Sequence, residues 1–331
     1  MIENKMNAVV YNEYGLADVL TLKELYKPKP KNKEVLIKLH AVSINDWDWG
    51  LLRGKPFVNR MMAGIIKPHT NKILGSDIAG TVVGVGQKVT LFKMGDEVFG
   101  DLSACGFGGF AEYVCAPEQT LTIKPESMSF GQAAAIPQAG VLALQALQDK
   151  RKGQAGMQVL INGAGGGSGS FAIQIAKSFG DHVTAVDCVS KFALMRELGA
   201  DEVIDYKTED FTLNGKTYDL IVDMMGYHSI FDYKRSLKAN GRYMMVGGCT
   251  SLIFQTLFIG SFMSLFGSKK LAILFHEPNK NMLDLNALFE TGKMKIIIDK
   301  FYPLSELKQA MKYFGERQSK GKVVITRMAL T

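Results

Sequence analysis

The sequence is poor in the features that mark secreted, metal-knuckle or membrane proteins. It has four cysteines in 331 residues, Cys105, Cys115, Cys188 and Cys249. None forms a C-x-x-C pair, which excludes a zinc knuckle and a thioredoxin-like dithiol, and their scatter fits a reducing compartment. The five histidines, His40, His69, His182, His228 and His276, show no ligand spacing with one another. No apolar run is long enough for a membrane span. The most apolar stretch, residues 252–266, is interrupted by Gln255, Thr256, Gly260, Ser261 and Ser264, and reads as a helix lining a pocket or a subunit contact. The first residues lack the apolar segment of a signal peptide, so a cytoplasmic protein without stable membrane insertion is expected. There are no repeats and no low-complexity linker. Charge is not concentrated either: the net +7 is spread over the chain, with small lysine clusters only at residues 27–33 and 269–270. This reads as solvated surface, and no nucleic-acid partner is expected.

What is present is an ordinary globular composition, 47% hydrophobic and 21% charged, in a chain long enough for about two domains. Up to residue 128 the pattern is short strands between glycine turns, as at residues 7–11, 34–39, 77–86, 95–100 and 111–114. Glycines inside the third of these predict bulges or tight corners in a small, strongly bent β-barrel. From Ser129 onward, alanine-rich helical segments at 131–135 and 140–147 lead into alternating strands and helices: strand 158–162, helix 169–179, strand 182–187, helix 191–198 closed by Gly199, strands 203–204 and 219–223, a helix near 229–237, and strands 241–247 and 271–275. Such alternation predicts an α/β fold with a doubly wound parallel sheet. The tail adds a helix at 304–314 and a strand at 322–326.

One stretch carries chemistry. The apolar run at 158–162 is followed by Gly163-Ala164-Gly165-Gly166-Gly167-Ser168-Gly169 and then by apolar residues at helical spacing. Strand, glycine turn and helix in succession form the context of a dinucleotide fingerprint. Glycine permits the tight turn and the close approach of backbone to a pyrophosphate, which sits where a helix N-terminus offers free N–H groups. The spacing here is G-x-x-G-x-x-G over Gly163, Gly166 and Gly169.

Further motifs resemble a known family. Asn45-Asp46-Trp47-Asp48-Trp49 is similar to an N-P-x-D-W stretch, with Asp46 where proline is usual. Residues 74–82 resemble L-G-x-D-x-x-G-x-V, and residues 108–113 resemble G-G-x-A-E-Y. Ala134-Ala135-Ile136-Pro137, Leu198-Gly199-Ala200-Asp201 and Ile204-Asp205-Tyr206 follow in the expected order. The chain resembles the medium-chain dehydrogenase/reductase superfamily, in its zinc-free quinone oxidoreductase-like branch. The resemblance implies a GroES-like β-barrel catalytic domain over 1–128 and 276–331, a Rossmann dinucleotide-binding domain over 129–275, an active site in the cleft between them, and a homodimer formed through the Rossmann sheet edge.

It also implies site residues. Zinc-dependent members supply a cysteine and a Gly-His-Glu unit; Asn45 and Gly75-Ser76-Asp77 stand at those places here. Asn and Ser are poor zinc ligands beside thiolate and imidazole, and no metal is expected. Reduction of a small hydrophobic quinone or enone, already electrophilic, then fits better than alcohol oxidation. Asn45 is the catalytic candidate, binding ribose or polarising a carbonyl, with a loop-capping asparagine as the competing reading. Asp48 reads as capping the next turn, and Trp47 and Trp49 as core, with a wall of the pocket as the other reading. Leu142 replaces a threonine found in many relatives, and no general acid stands out. The cofactor residues are Gly163, Gly166, Gly167, Ser168 and Gly169, with Gly247 and Gly248 after a later strand. Asp187, a little over twenty residues beyond Gly163, is placed to take an NAD ribose and repel a 2′-phosphate. Lys191 and Tyr206 match positions that bind the 2′-phosphate in relatives, and Ser190 adds a hydroxyl. The expectation is NADP(H), with NAD(H) as the alternative. An atypical alcohol dehydrogenase, and a nucleotide-binding protein without turnover, are the competing functions.

Overall fold

In this computed structural model the structure describes residues 5–70, 72–148 and 155–326; the outermost ends of the expected catalytic domain lie outside them. The chain divides into two compact units. The first comprises Met1–Gln138, Pro278–Asn286 and Ile298–Thr331, and the second Ala139–Glu277 and Ala287–Ile297.

The first unit begins with strands β1 (Lys5–Tyr11), β2 (Thr21–Tyr26) and β3 (Glu34–Ser43), then helices α1 (Asp46–Arg53) and α2 (Val58–Ala63). Strands β4 (Lys72–Ile73), β5 (Asp77–Val85), β6 (Glu97–Asp101), β7 (Tyr113–Pro117) and β8 (Thr122–Ile123) follow. Strand β3 is the spine. It pairs antiparallel with both β5 and β7, and Val35, Ile37 and Leu39 on it are almost fully buried. At about 1.5–3 kcal/mol per fully buried aliphatic side chain, this strand anchors the unit's core. The register of β3 against β5 slips at Leu36/Ile37 and Leu39/Ala41. Gly80 lies there because a Cβ on it would stand 2.3 Å from the Lys38 carbonyl oxygen, so the glycine-broken strand does mark an irregular corner.

The composition change at Ser129 is not the boundary between units. Helix α3 (Phe130–Ala135) stays with the first unit: Ser129 and Gln132 close a capping box at its start, and Phe130 stacks on His40 of β3 with ring centroids 4.2 Å apart. The division falls at Gln138, inside helix α4 (Pro137–Gln148). Residues 287–297, expected in the catalytic domain, belong to the second unit, where Gln174 exchanges two hydrogen bonds with the Lys295 backbone.

The second unit is a six-stranded sheet. Strand β9 (Gln158–Asn162), helix α5 (Gly167–Ser178), and strands β10 (His182–Asp187), β11 (Glu202–Asp205), β12 (Tyr218–Asp223), β13 (Leu237–Met245) and β14 (Lys270–Ile273) give the order β11-β10-β9-β12-β13-β14, all parallel. This is the 3-2-1-4-5-6 order of a dinucleotide-binding sheet, with the switch point beside β9. Val159, Leu160 and Ile161 are fully buried, as a strand covered on both faces requires. Residues 250–266 are helical throughout, with a π turn over Gln255–Gly260. Among the described residues no helix is long and apolar enough to cross a membrane.

The chain returns to the first unit with β15 (Ile298–Pro303) and β16 (Lys322–Thr326), giving the sheet order β15-β16-β3-β5-β6-β8 with β7 on β3; β2-β1-β4 form a smaller sheet. Lys322 therefore opens a strand paired with the end of β3.

Candidate functional site

The predicted site residues fall into two constellations, one in each unit. In the second unit β9 runs into the glycine turn. Gly163 has φ +81°, and its N–H and that of Ala164 both donate to the Val186 carbonyl, at 2.9 and 3.1 Å. The glycines serve different ends. A Cβ on Gly169 would stand 2.3 Å from the Gly163 carbonyl oxygen, so this residue lets the helix sit on the turn. A Cβ on Gly165 would strike the Lys191 side chain at 2.5 Å. On Gly166, at the N-cap of α5, it would meet nothing nearer than 3.5 Å. Gly166, Gly167 and Ser168 are all partly open at the start of a twelve-residue helix, leaving a cradle of first-turn N–H groups beside free space. The residues fit a bound pyrophosphate.

Asp187, at the end of β10, is committed to the fold. Its Oδ2 accepts the Gly165 N–H at 3.0 Å, and its Oδ1 accepts the Cys188 N–H at 2.8 Å. Lys191 lies with its Nζ 3.4 Å from Oδ2, and both side chains are buried. The two residues that pointed to opposite cofactors are thus one ion pair strapping the glycine loop. Ser190 and Tyr206 are exposed, the serine hydroxyl 3.2 Å from Cys188 Sγ. Gly247 and Gly248 pack on the chain at 224–226: a Cβ would stand 2.6 Å from the Met224 carbonyl oxygen in the first case and 2.7 Å from that of Gly226 in the second.

The sequence reading missed Asp223. This fully buried carboxylate ends β12 and accepts from Asn162 Nδ2 (2.8 Å), Tyr243 Oη (2.8 Å) and the Met225 N–H (3.1 Å), tying β9, β12 and β13 together at their carboxyl ends. Burial pushes its pKa up, against the pull of these donors and of Tyr233. An apolar strand ending in Asp was the available signal.

In the first unit Asn45 stands at the N-cap of α1, where the capping reading placed it. It also does more. Its Nδ2 donates to Ser76 Oγ at 3.2 Å, and its Oδ1 accepts from Lys322 Nζ. Asp48 accepts the N–H of Asn45 at 2.9 Å and that of Gly75 at 2.8 Å, so it caps the turn and fastens the 74–77 loop to it. Burial pushes the Asp48 carboxyl up to about 7 against those two donors. Asp77 accepts the Gln138 N–H at 3.0 Å and lies 3.8 Å from Lys322 Nζ. Burial raises Asp77 and lowers Lys322, and the attraction between them opposes both shifts. The tryptophans separate: Trp49 packs against Gly315, whereas Trp47 is 39% exposed beside Phe107 and is not core.

These donors do not fit zinc. The set at Asn45, Ser76 and Asp77 holds no thiolate or imidazole, and an ammonium already stands among its oxygens. Among the described residues no group of three or more His, Cys, Asp or Glu side chains is arranged to hold a metal ion.

Comparison with known proteins agrees with this architecture. Residues 31–126 match the alcohol dehydrogenase GroES-like domain, and residues 198–325 match the zinc-binding dehydrogenase family. The chain is 34% identical to the chloroplast envelope quinone oxidoreductase homolog of Arabidopsis thaliana, over 97% of this chain and 98% of that one. It is 31% identical to the chloroplastic NADPH-dependent alkenal/one oxidoreductase of the same plant, over 98% of this chain and 80% of that one. The solved quinone oxidoreductase of Coxiella burnetii superposes with a TM-score of 0.88 at 30% identity, covering 98% of this chain and all of the other. The fold is therefore a GroES-like domain with a Rossmann-type parallel sheet. The chain belongs to the medium-chain dehydrogenase/reductase superfamily, among its quinone oxidoreductase-like members.

Replacing Asp223 by Ala strands three donors in the dry edge of the sheet. Stability should fall by about 3 kcal/mol, and by about 1 for Tyr243→Phe, read from urea midpoints. An unchanged midpoint for Asp223→Ala would contradict the structural role given to this network.

Proposed function

We propose that this protein is an NADPH-dependent oxidoreductase that reduces quinones and α,β-unsaturated carbonyls by hydride transfer, without zinc. The observation that carries the reading is the open helix N-terminus at Gly166 to Ser168, strapped from behind by an Asp187 carboxylate that Lys191 neutralises. Relatives named as quinone oxidoreductases and as an NADPH-dependent alkenal/one oxidoreductase support it.

The open N-terminus of α5 at Gly166, Gly167 and Ser168 would hold the pyrophosphate through first-turn N–H groups and the helix dipole, while Gly163, whose own N–H is taken by Val186, and Gly169 shape the turn beneath it. Asp187 is not free to repel a 2′-phosphate, because its charge is met by Lys191 and its oxygens by backbone donors. Ser190 and Tyr206, both exposed, form the side of the site that would take this phosphate, and Lys191 serves it from behind by cancelling the Asp187 charge. Gly247 and Gly248 let the turn after β13 pack on residues 224–226 at the carboxyl end of the sheet, where a nicotinamide would lie. When bound, the nicotinamide supplies a hydride to the electrophilic carbon of the acceptor. The π pair of the acceptor moves onto its oxygen, Asn45 donates a hydrogen bond to that enolate or hydroquinonate, and water supplies the proton. Positioning, rather than acid–base catalysis, carries the rate.

The reading extends to a cytoplasmic homodimer. The four cysteines are free. Strand β14 is the outer strand of the sheet, and next to it Phe254, Phe258, Phe262 and Phe266 repeat every four residues along an exposed stripe. Apolar surface of this kind favours a partner. Sedimentation should give twice the mass of one chain, and Phe262→Asp with Phe266→Asp should return it to one; a wild-type monomer would refute the dimer.

The direct test is NADPH oxidation against a panel of quinones, enals and enones. Wild type should turn over several of them. Gly166→Asp has room for its side chain, so the protein should stay folded, yet a carboxylate against the pyrophosphate should lower kcat/KM on the order of a hundredfold. Normal turnover by that folded variant, or none by wild type, contradicts the reading. Measured with both nucleotides, kcat/KM should favour NADPH over NADH, and Lys191→Ala should narrow the ratio about tenfold by removing a cation and exposing the Asp187 charge. A preference of wild type for NADH would reverse the assignment of Lys191.

A further inference from the structure

The segment that follows α1 combines two unusual properties. Between Asp48 and Asp77 the sequence has no aspartate or glutamate, and it carries Arg53, Lys55, Arg60, Lys67 and Lys72. In the same stretch four large apolar side chains face solvent: Phe57 is 64% exposed, Met61 71%, Ile65 64% and Ile66 87%. Phe57 stands at the N-cap of α2 and Met61 four residues on, so the two share a face. Lys55 and Lys67, on either side of the group along the chain, are exposed as well. The backbone beneath is firmly held. The Tyr14 hydroxyl donates to the Gly64 carbonyl. Arg60 Nε donates to the Gly54 carbonyl at 3.2 Å, and its guanidinium lies 4.6 Å from the centre of the Tyr14 ring. The His69 N–H donates to the Ala63 carbonyl at 3.0 Å, and a Cβ on Gly64 would stand 2.1 Å from the Lys67 carbonyl oxygen, so the chain doubles back tightly around the two isoleucines. Ala63 and Pro68 are buried, while the four larger groups are held outward.

Exposed apolar groups rimmed by polar ones mark a docking surface. Here the rim is of one sign, so the occupant must be negative at its face and apolar within. A second copy meeting this patch with its own would set cation against cation. A nucleic acid would meet the charge but leave Met61, Ile65 and Ile66 idle, since aliphatic side chains offer its bases no stacking platform. An anionic bilayer surface meets both requirements. We propose that residues 55–67 dock this protein reversibly on an anionic lipid surface, with Phe57, Met61, Ile65 and Ile66 at the boundary of headgroups and acyl chains and Lys55 and Lys67 against the lipid anions. The contact is interfacial, because so short a segment cannot span a membrane. The docking does not depend on the reductase reading; if that reading holds, docking also brings the enzyme to the phase in which a hydrophobic quinone concentrates.

The experiment is co-sedimentation of the full chain with vesicles of phosphatidylcholine mixed with phosphatidylserine, and of phosphatidylcholine alone. Wild type should pellet with the mixed vesicles, stay in solution with the neutral ones, and be released as salt is raised. Lys55→Gln with Lys67→Gln should lower the partition coefficient about thirtyfold. Phe57→Ser with Ile65→Ser and Ile66→Ser, which leaves every charge in place, should lower it on the order of a hundredfold. Both variants replace exposed side chains, so their melting temperatures should match wild type. No binding of wild type to the mixed vesicles overturns the proposal. Equal binding by the folded serine variant overturns it too, since charge alone would then explain the retention. A serine variant that sediments in solution at a different mass from wild type would assign the face to contact between copies, and would also overturn it.

Discussion

A carboxylate taken out of water must be met by donors, and in this protein that requirement shapes every turn that matters. Asp48 receives two backbone N–H groups, Asp77 one with the Lys322 ammonium nearby, Asp187 two with Lys191, and Asp223 one together with an amide and a phenol. Each carboxylate stands at one end of a strand or at the start of a helix and ties a neighbouring segment to it. An unpaired charge in such surroundings costs several kcal/mol, whereas a fully bonded one fixes the backbone that supplies its donors. The glycine loop is thin because Asp187 pulls Gly165 against Lys191. Asp48 ties the start of α1 to the 74–77 loop.

The same constraint separates this site from that of a zinc dehydrogenase. A metal ion would bring two positive charges and demand thiolate or imidazole ligands. Here the cation is part of the chain. It carries one charge, makes directional hydrogen bonds, and has a fixed partner in the amide of Asn45.

Much of this was legible in the residues, for reasons that also explain what was not. The strand, glycine turn and helix at 158–179 were readable because glycine spacing and apolar periodicity are local properties. Strand β16 was readable from its apolar run, but Lys322 at its head looked like any strand-end lysine. Its partners, Asn45 and Asp77, are more than two hundred residues away, and no local pattern reports that. Asp187 and Lys191 read as rivals because one was judged by its distance beyond the glycine turn and the other by its match to relatives that bind a 2′-phosphate; four residues apart, they neutralise each other. The edge of the first unit was misplaced at Ser129, since alanine-rich helix suggested a new domain, while the Phe130–His40 stack holds that helix to the sheet already built.

The central claim is that the open N-terminus of α5, with its neutralised Asp187, is an NADPH seat. Calorimetric titration of NADP+ and NAD+ into the protein, with no acceptor present, tests it most directly. The account predicts one site per chain, filled more tightly by NADP+ than by NAD+, with the difference shrinking as salt screens the 2′-phosphate. No heat from either nucleotide, or tighter binding of NAD+, would contradict it.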